Sequence, residues 1–197
     1  MRRPTPVCLA TLLIVPTGLC AQEGAWRIDS NHSAAYFSVR HLMISTVRGE
    51  FSGINGVMRF NPKRPTEARV EATIDCSTLN SGVAARDAQM KGPDFFDVKK
   101  YPVMKFVSTR VEEAGQGKLR VAGDLTINAT TRPVVLEVEG PSEVVKDARG
   151  REKVGLSAAT KINRKEWGIV WNEVLETGGL AVADEVSISL DIEFIRE

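Results

Sequence analysis

Histidine and cysteine are scarce in this sequence of 197 residues, which holds two histidines and three cysteines. So small a supply leaves no Cys or His cluster with the spacing of a zinc site. The signature motifs of serine hydrolases, P-loop nucleotide-binding proteins and zinc proteases are absent as well. We therefore expect neither catalytic nor metal-ligating residues.

A strong excess of one charge is also missing, because 26 Lys and Arg residues balance 25 Asp and Glu residues, for a formal net charge of +1. Nucleic-acid binding usually needs a clustered basic excess, so we expect no nucleic-acid partner. No apolar run reaches the roughly 20 residues of a membrane-spanning helix. The hydrophobic fraction of 43% is too high for disorder, and the length suits one domain.

The first 21 residues have the pattern of a secretory signal peptide. Arg2 and Arg3 provide the basic start, and Val7–Val15 forms a short apolar core. A small residue, Ala21, stands at the expected cleavage site. We expect cleavage after it and export of the mature chain to the periplasm or outside the cell.

Removal of this segment leaves Cys76 as the only cysteine of the mature chain, so no internal disulfide can form. Cys76 continues an alternating apolar run with Val70, Ala72 and Ile74. This position predicts a buried, unreactive thiol.

Alternation of apolar and polar residues dominates the rest of the sequence and predicts about eight strands. Ala35, Phe37 and Val39 share one strand face, and Val186 to Phe194 is the cleanest run. Strands with one polar face and short turns favour an antiparallel meander, and a sheet of this size must curl. Closure into a barrel or a two-sheet sandwich is expected.

One segment, residues 82–100, departs from this alternation and predicts a helical insertion. Val83–Lys91 is rich in helix formers, and Pro93 suits the first turn of a second short helix. Phe95 and Phe96 are consecutive, which suggests that the insertion plugs an apolar space.

Two charged pairs within the insertion each have two alternative roles. Asp94 and Asp97 could share a helix face and do acid–base work, or they could serve as cap and dipole partners. Arg86 and Asp87 could anchor an anionic group or form a surface ion pair.

The aromatic residues form an inventory large enough to line a tunnel or to fill a core. Trp167 and Trp171 lie in a segment rich in strand formers, where their spacing would place them on one face. An eight-stranded barrel is just wide enough to fill itself with side chains or to hold one ligand.

A pattern of short segments runs from Trp26 to Phe194 in a characteristic order and spacing. The segments are Trp26–Asp29, His32–Ser33, Phe37–His41, Val47–Phe51, Arg86–Met90, Asp94–Asp97, Tyr101–Pro102, Gly123–Ile127, Thr131–Val134 and Asn163–Gly168. This pattern resembles the YceI-like family of exported lipid-binding proteins, and it covers essentially the whole mature chain, residues 22–197.

The resemblance implies an all-β fold, an extended, eight-stranded, antiparallel, lipocalin-like β-barrel with a short helical insertion around residues 82–100. Its interior would hold a long apolar chain, such as a polyisoprenoid, an isoprenoid quinone or a fatty-acid derivative, and no cofactor. Proteins of the family are mostly periplasmic or secreted, often homodimeric, and not established enzymes. The family usually has His where this chain has Gln89, which can hydrogen-bond but cannot titrate.

The function expected from these observations is sequestration and transfer of a long-chain lipid, with transient membrane contact. Burial of a chain of about 30 to 40 carbons would gain roughly 25 kcal/mol against water. The membrane is therefore the relevant competitor, and transfer from it should be nearly thermoneutral. The rivals are an enzyme at the barrel mouth with Asp94, Asp97 or His32 as acid–base groups, and a structural protein with a filled barrel.

The candidate binding residues fall into two groups. For contact with a polar head we expect Arg86, Asp87 and His32. For the apolar wall we expect Phe37, Phe51, Phe95, Phe96, Phe106, Leu125, Trp167 and Trp171.

Overall fold

The computed structural model describes residues 24–115, 117–176 and 178–197. The expected signal peptide, residues 1–21, lies outside them. Among the described residues, no helix combines the length and apolarity needed to cross a membrane.

Strands account for most of the described chain. They are β1 (Gly24–Ile28), β2 (Ala34–His41), β3 (Ser45–Phe51), β4 (Ile54–Phe60), β5 (Arg69–Asp75), β6 (Val103–Glu113), β7 (Lys118–Ile127), β8 (Thr130–Glu139), β9 (Val145–Lys146), β10 (Glu152–Asn163) and β11 (Val182–Arg196).

Eight of these strands close into an antiparallel barrel, in the order β11, β1, β4, β5, β6, β7, β8, β10 and back to β11. The expected eight-stranded barrel is thereby confirmed. The long strand β11 pairs with β10 on one side, from Glu185 to Ile195. On its other side it pairs first with β2 and then, from Phe194 onward, with β1. The hairpin β2–β3 extends the sheet beyond the barrel wall.

The connection between β5 and β6 carries the one α-helix of the described residues, α1 (Ala84–Met90), within the expected insertion. The second helix expected from Pro93 was wrong, because the segment folds into consecutive turns. The backbone carbonyl of Gly92 accepts hydrogen bonds from Phe95 and Asp97, and Asp97 has a φ of +43°. A residue in that left-handed conformation cannot continue a helix.

The two ends of the barrel differ in what covers them. One end carries the β5–β6 insertion, the tip of the β2–β3 hairpin and the β10–β11 connection, and we call it the insertion end. The other end carries the two ends of the described chain and the β4–β5, β6–β7 and β8–β10 connections. We call it the termini end.

Cys76 lies just after β5 and is buried among apolar side chains, as the alternation predicts. Burial raises the pKa of its thiol to about 11. A thiol protonated at neutral pH is a poor nucleophile, so Cys76 acts as a small apolar core residue.

Candidate functional site

An apolar cavity of about 250 Å³ lies inside the barrel. Its wall extends from Phe60 and Leu119, near the termini end, to Phe95 and Val182, near the insertion end. Every wall residue is apolar except Tyr36, Lys105, Thr160 and Arg164. The cavity exceeds the roughly 150 Å³ that holds a benzene ring in a protein core, and it is below the roughly 300–1,000 Å³ of sites for drug-sized ligands.

Seven of the eight residues expected in the wall line this cavity. The phenylalanines of the β2–β3 hairpin and the insertion pack in a row. The ring centroids of Phe37 and Phe51 are 5.9 Å apart, and those of Phe51 and Phe96 are 5.4 Å apart. The insertion therefore closes an apolar space. The seven residues are Phe37, Phe51, Phe95, Phe96, Phe106, Leu125 and Trp167.

Trp171 is outside the set of residues that line the cavity, so its expected place in the wall was wrong. Trp167 ends a short 3-10 helix, Arg164–Trp167, whose start is capped by the side chain of Asn163. Gly168, with a φ of +78°, ends this helix, and a loop follows. The two tryptophans thus share no strand face. Trp171 instead packs against the wall residue Phe95, with their ring centroids 5.3 Å apart.

Arg164 positions this loop, a role that the sequence analysis missed. Its buried guanidinium donates to the carbonyls of Ile169 and Trp171, both at 2.8 Å, and to the carbonyl of Ala183 at 3.0 Å. A carbonyl-rich cage of this kind satisfies a buried arginine without a bidentate carboxylate. In the sequence, only the position of Arg164 within the Asn163–Gly168 segment indicated that it has a role.

Two glycines make room for wall phenylalanines. A Cβ atom on Gly123 would lie 2.4 Å from the Phe106 ring, and one on Gly49 would lie 2.4 Å from the Phe37 ring. Each ring therefore packs directly against a glycine of the neighbouring strand. This packing keeps the two rings against the wall.

Arg86 and Asp87, expected near a polar head, hold the start of the insertion. Arg86 donates to the hydroxyl and the carbonyl of Ser81, and Asp87 accepts from the backbone N–H and the hydroxyl of Ser81. These bonds from Ser81 lower the pKa of Asp87. Neither side chain lines the cavity. Contact with a head group stays a prediction for both.

His32 belongs to a charged cluster at the point where β11 changes partner. Its Nδ1 lies 2.9 Å from Asp29 Oδ2, and the ammonium of Lys153 contacts both Asp29 and Glu193. Burial raises the pKa of Asp29, but hydrogen bonds from His32 and Lys153 outweigh it, and the net pKa is about 2. The bond to Glu193 raises the pKa of Lys153.

The same cluster has the donor set of a metal site, since atoms of Asp29, His32 and Glu193 lie within 4.8 Å of one another. The Lys153 ammonium already supplies a positive charge between the two carboxylates. None of these four side chains lines the cavity, so head-group contact by His32 also stays a prediction.

Asp94 and Asp97, the acid–base pair of the rival enzyme hypothesis, lie in the turns of the insertion. The backbone carbonyl of Asp97 accepts from Lys100 and Tyr101, both at 2.8 Å. Neither carboxylate lines the cavity. This pair therefore lies outside the wall of the apolar cavity.

Solved structures with the same architecture come from several bacteria. BcnA of Burkholderia cenocepacia superposes with a TM-score of 0.72 at 25% identity, over 84% of this chain and 98% of that one. A Campylobacter jejuni YCEI protein gives 0.68 at 28% identity, over 80% and 90%. A polyisoprenoid-binding domain from Saccharophagus degradans gives 0.63 over 89% and 100%, and its 12% identity shows a shared fold alone.

Sequence relatives are similar over most of the chain. A UPF0312 protein of Photorhabdus laumondii is 34% identical over 95% of this chain and 93% of its own length. One from Shewanella denitrificans is 32% identical over 82% and 84%. The family model of the YceI-like domain matches residues 26–194. The chain therefore belongs to the YceI-like family.

Proposed function

We propose that this protein is a carrier that binds the apolar chain of a lipid inside its barrel. The observation that carries the proposal is the apolar cavity, because a filled structural barrel has no such space. The named ligand of the Saccharophagus degradans domain, a polyisoprenoid, supports the same class of ligand. Long-chain isoprenoids, isoprenoid quinones and fatty-acid derivatives all match a wall that offers few polar groups.

The cavity volume limits how such a chain can enter. About 250 Å³ is too small for a chain of about 30 to 40 carbons, since roughly 150 Å³ holds one benzene ring. A long chain therefore needs the insertion to shift, and Met90, Phe95 and Phe96 are only partly buried. Their movement would lengthen the cavity at the insertion end without breaking the hydrogen bonds between the barrel strands.

The exchange of cargo with membranes follows from this chemistry. A bilayer offers the chain an apolar environment close to that of the barrel, so loading and release should both proceed with a small change in free energy. The chain acts as a carrier and not as an enzyme in this proposal.

The binding experiment uses geraniol, farnesol and geranylgeraniol as prenyl alcohols of increasing length, together with mass spectrometry of a solvent extract of natively purified protein. We expect a bound amphiphile in the extract and an affinity that rises with chain length. A protein that carries no amphiphile and takes up none of the three alcohols contradicts the proposal.

A matched pair of variants assigns the binding to the cavity. Leu125→Gln places an amide in the wall, whereas Val135→Gln places it on the exposed outer face of the next strand. An unpaired amide in an apolar site costs about 1 to 3 kcal/mol, so we expect at least about tenfold weaker binding for Leu125→Gln alone. Equal affinities of the two variants would place the ligand elsewhere.

Export completes the proposal. We expect the chain in the periplasm, cleaved after Ala21, so that the mature protein begins at Gln22. N-terminal sequencing of protein from the periplasmic fraction tests this, and an intact Met1 on that protein would contradict it.

A further inference from the structure

Two loops at the insertion end expose apolar side chains to solvent. The tip of the β2–β3 hairpin exposes Ile44 by 78%, and the β10–β11 connection exposes Val174 by 75%. Exposed apolar residues grouped in this way usually mark an interaction surface. We call the group the apolar rim, and its members are Met43, Ile44, Val170, Val174 and Leu180.

The backbone holds the apolar rim in this exposed arrangement. The two loops are tied by a hydrogen bond of 2.7 Å from the Leu42 N–H to the Ala181 carbonyl, and Val174 pairs with Leu180 in an isolated bridge. Leu42 and Met43 both have positive φ, of +51° and +60°. Two successive non-glycine residues in that conformation are uncommon and define a tight turn at the hairpin tip.

The apolar rim adjoins the cavity. Val39 of β2 and Val182 of β11 line the cavity, and these two strands lead directly to the hairpin tip and to Leu180. Trp171, next to Val170, packs on the wall residue Phe95. The apolar rim and the cavity wall therefore lie next to each other along these two strands.

The shape of the apolar rim favours a bilayer over a protein partner. A stable protein interface takes roughly 20 to 30 residues on each side, whereas the rim offers five side chains on two projecting loops. Separate apolar anchors suffice for a bilayer, where each side chain inserts on its own.

The charges around the apolar rim indicate which bilayers it can meet. Arg40 donates to the Met43 carbonyl at the tip, while the other loop carries Glu173 and Glu176. These charges of both signs give no strong attraction to anionic lipid. Apolar insertion is then the main force.

We propose that the apolar rim docks the insertion end on a lipid bilayer, so that cargo passes between bilayer and cavity without crossing water. This docking rests on the proposed lipid-carrier function. It assigns the bilayer contact to residues that take no part in holding the cargo inside the barrel.

The test is flotation of the protein with phosphatidylcholine vesicles, with and without phosphatidylglycerol. We expect partitioning that is similar on both vesicles and persists at high salt. The double variant Ile44→Ser, Val174→Ser should partition at least about tenfold less. The matched variant Val144→Ser, Val145→Ser removes exposed valines at the termini end and should partition as the unaltered protein does.

Geranylgeraniol binding in the absence of vesicles separates docking from carriage. We expect the rim double variant to bind this alcohol with unchanged affinity and to transfer it more slowly between vesicles. Equal partitioning of the double variant and the unaltered protein overturns the docking. A change from dimer to monomer in sedimentation, without any change in flotation, overturns it too and assigns the rim to a second copy. Rim-dependent flotation without alcohol binding supports the docking and overturns only the carrier function.

Discussion

At the termini end, ion pairs join neighbouring strands: Lys118 bonds Glu139 and Arg196 bonds Glu152, both at 2.7 Å. At the insertion end, the apolar rim is exposed and an aromatic layer lies directly below it. Exposed ion pairs keep a surface soluble and contribute little to stability, whereas exposed apolar groups weaken solubility. The contrast shows that the two ends of the barrel present different chemistry, and it is the basis for proposing bilayer contact at the insertion end.

The largest effect on stability is expected from replacing a buried tryptophan, and each end of the barrel has one. Trp167→Ala removes a wall residue whose Nε1 donates to the Leu125 carbonyl, and Trp26→Ala removes a core residue at the termini end that packs edge-on against Phe60. Both should lower the free energy of unfolding by about 3 to 5 kcal/mol in urea titrations. Binding of geranylgeraniol should change for Trp167→Ala only. If both variants lose binding equally, the ends do not differ in function.

A smaller effect is expected where a glycine supports a wall ring. Gly123→Ala forces the Phe106 ring away from its strand and into the cavity, because the new Cβ would lie 2.4 Å from the ring. We expect a loss of about 1 to 3 kcal/mol in unfolding free energy, together with weaker alcohol binding.

Gly155→Ala is the matched control for this substitution, since its Cβ would meet only the Ile192 carbonyl, at 3.9 Å. It should leave both stability and binding close to those of the unaltered protein. A stability loss from Gly155→Ala as large as that from Gly123→Ala would show that any strand alanine is harmful, and would remove the argument from the Phe106 ring.

The charged cluster around Asp29 predicts that the stability of the folded protein depends on pH. The pKa of Asp29 is lowered to about 2 in the folded state, below its ordinary value of 3.8. The stability that ionised Asp29 contributes to the fold is therefore present above pH 4 and is lost as the pH falls from about 4 toward 2. We expect the unaltered protein to lose about 1 to 2 kcal/mol more than Asp29→Asn over this interval, with solvent screening allowed for.

Unfolding in urea at several pH values between 2 and 7 measures this difference. Asp147, another carboxyl with a pKa of about 2, lies partly buried at the termini end beside Arg151. Asp147→Asn serves as the comparison variant. Parallel pH curves for the unaltered protein and Asp29→Asn would contradict a stabilising role for the cluster.

The smallest effect is expected at the ion pairs of the termini end. Glu139→Gln removes the partner of Lys118, and both side chains are largely exposed. We expect no measurable shift in the thermal midpoint and no change in flotation or alcohol binding. A clear change in flotation would mean that the termini end also meets the bilayer.

Much of the fold could be predicted from local alternation. The runs around Phe37, Leu125 and Ile188 place their apolar residues toward the interior, because a strand in a curled sheet has one dry face. The helix of the insertion also ended where its sequence indicated. What alternation cannot encode is pairing, so the change of partner along β11 could not be read from any single strand.

The candidate site was predictable in its apolar part and not in its polar part. Phenylalanine side chains are usually buried, and in a single barrel the interior is the main place where they can be buried. Trp171 was misplaced because the Asn163 cap and Gly168 replace a strand by a helical turn and a loop. The bond between Asp29 and Lys153 joins residues 124 positions apart, and no local pattern signals such a contact.

The course of β11 also governs how this protein can fold. Its fifteen residues follow all the other described strands in the sequence, and they supply the neighbour of β10, of β2 and of β1. Without β11 the other seven barrel strands would form an open sheet, with β1 and β10 as unpaired edges. Closure of the barrel therefore requires pairing between strands far apart in the sequence, and such pairing is intrinsically slow.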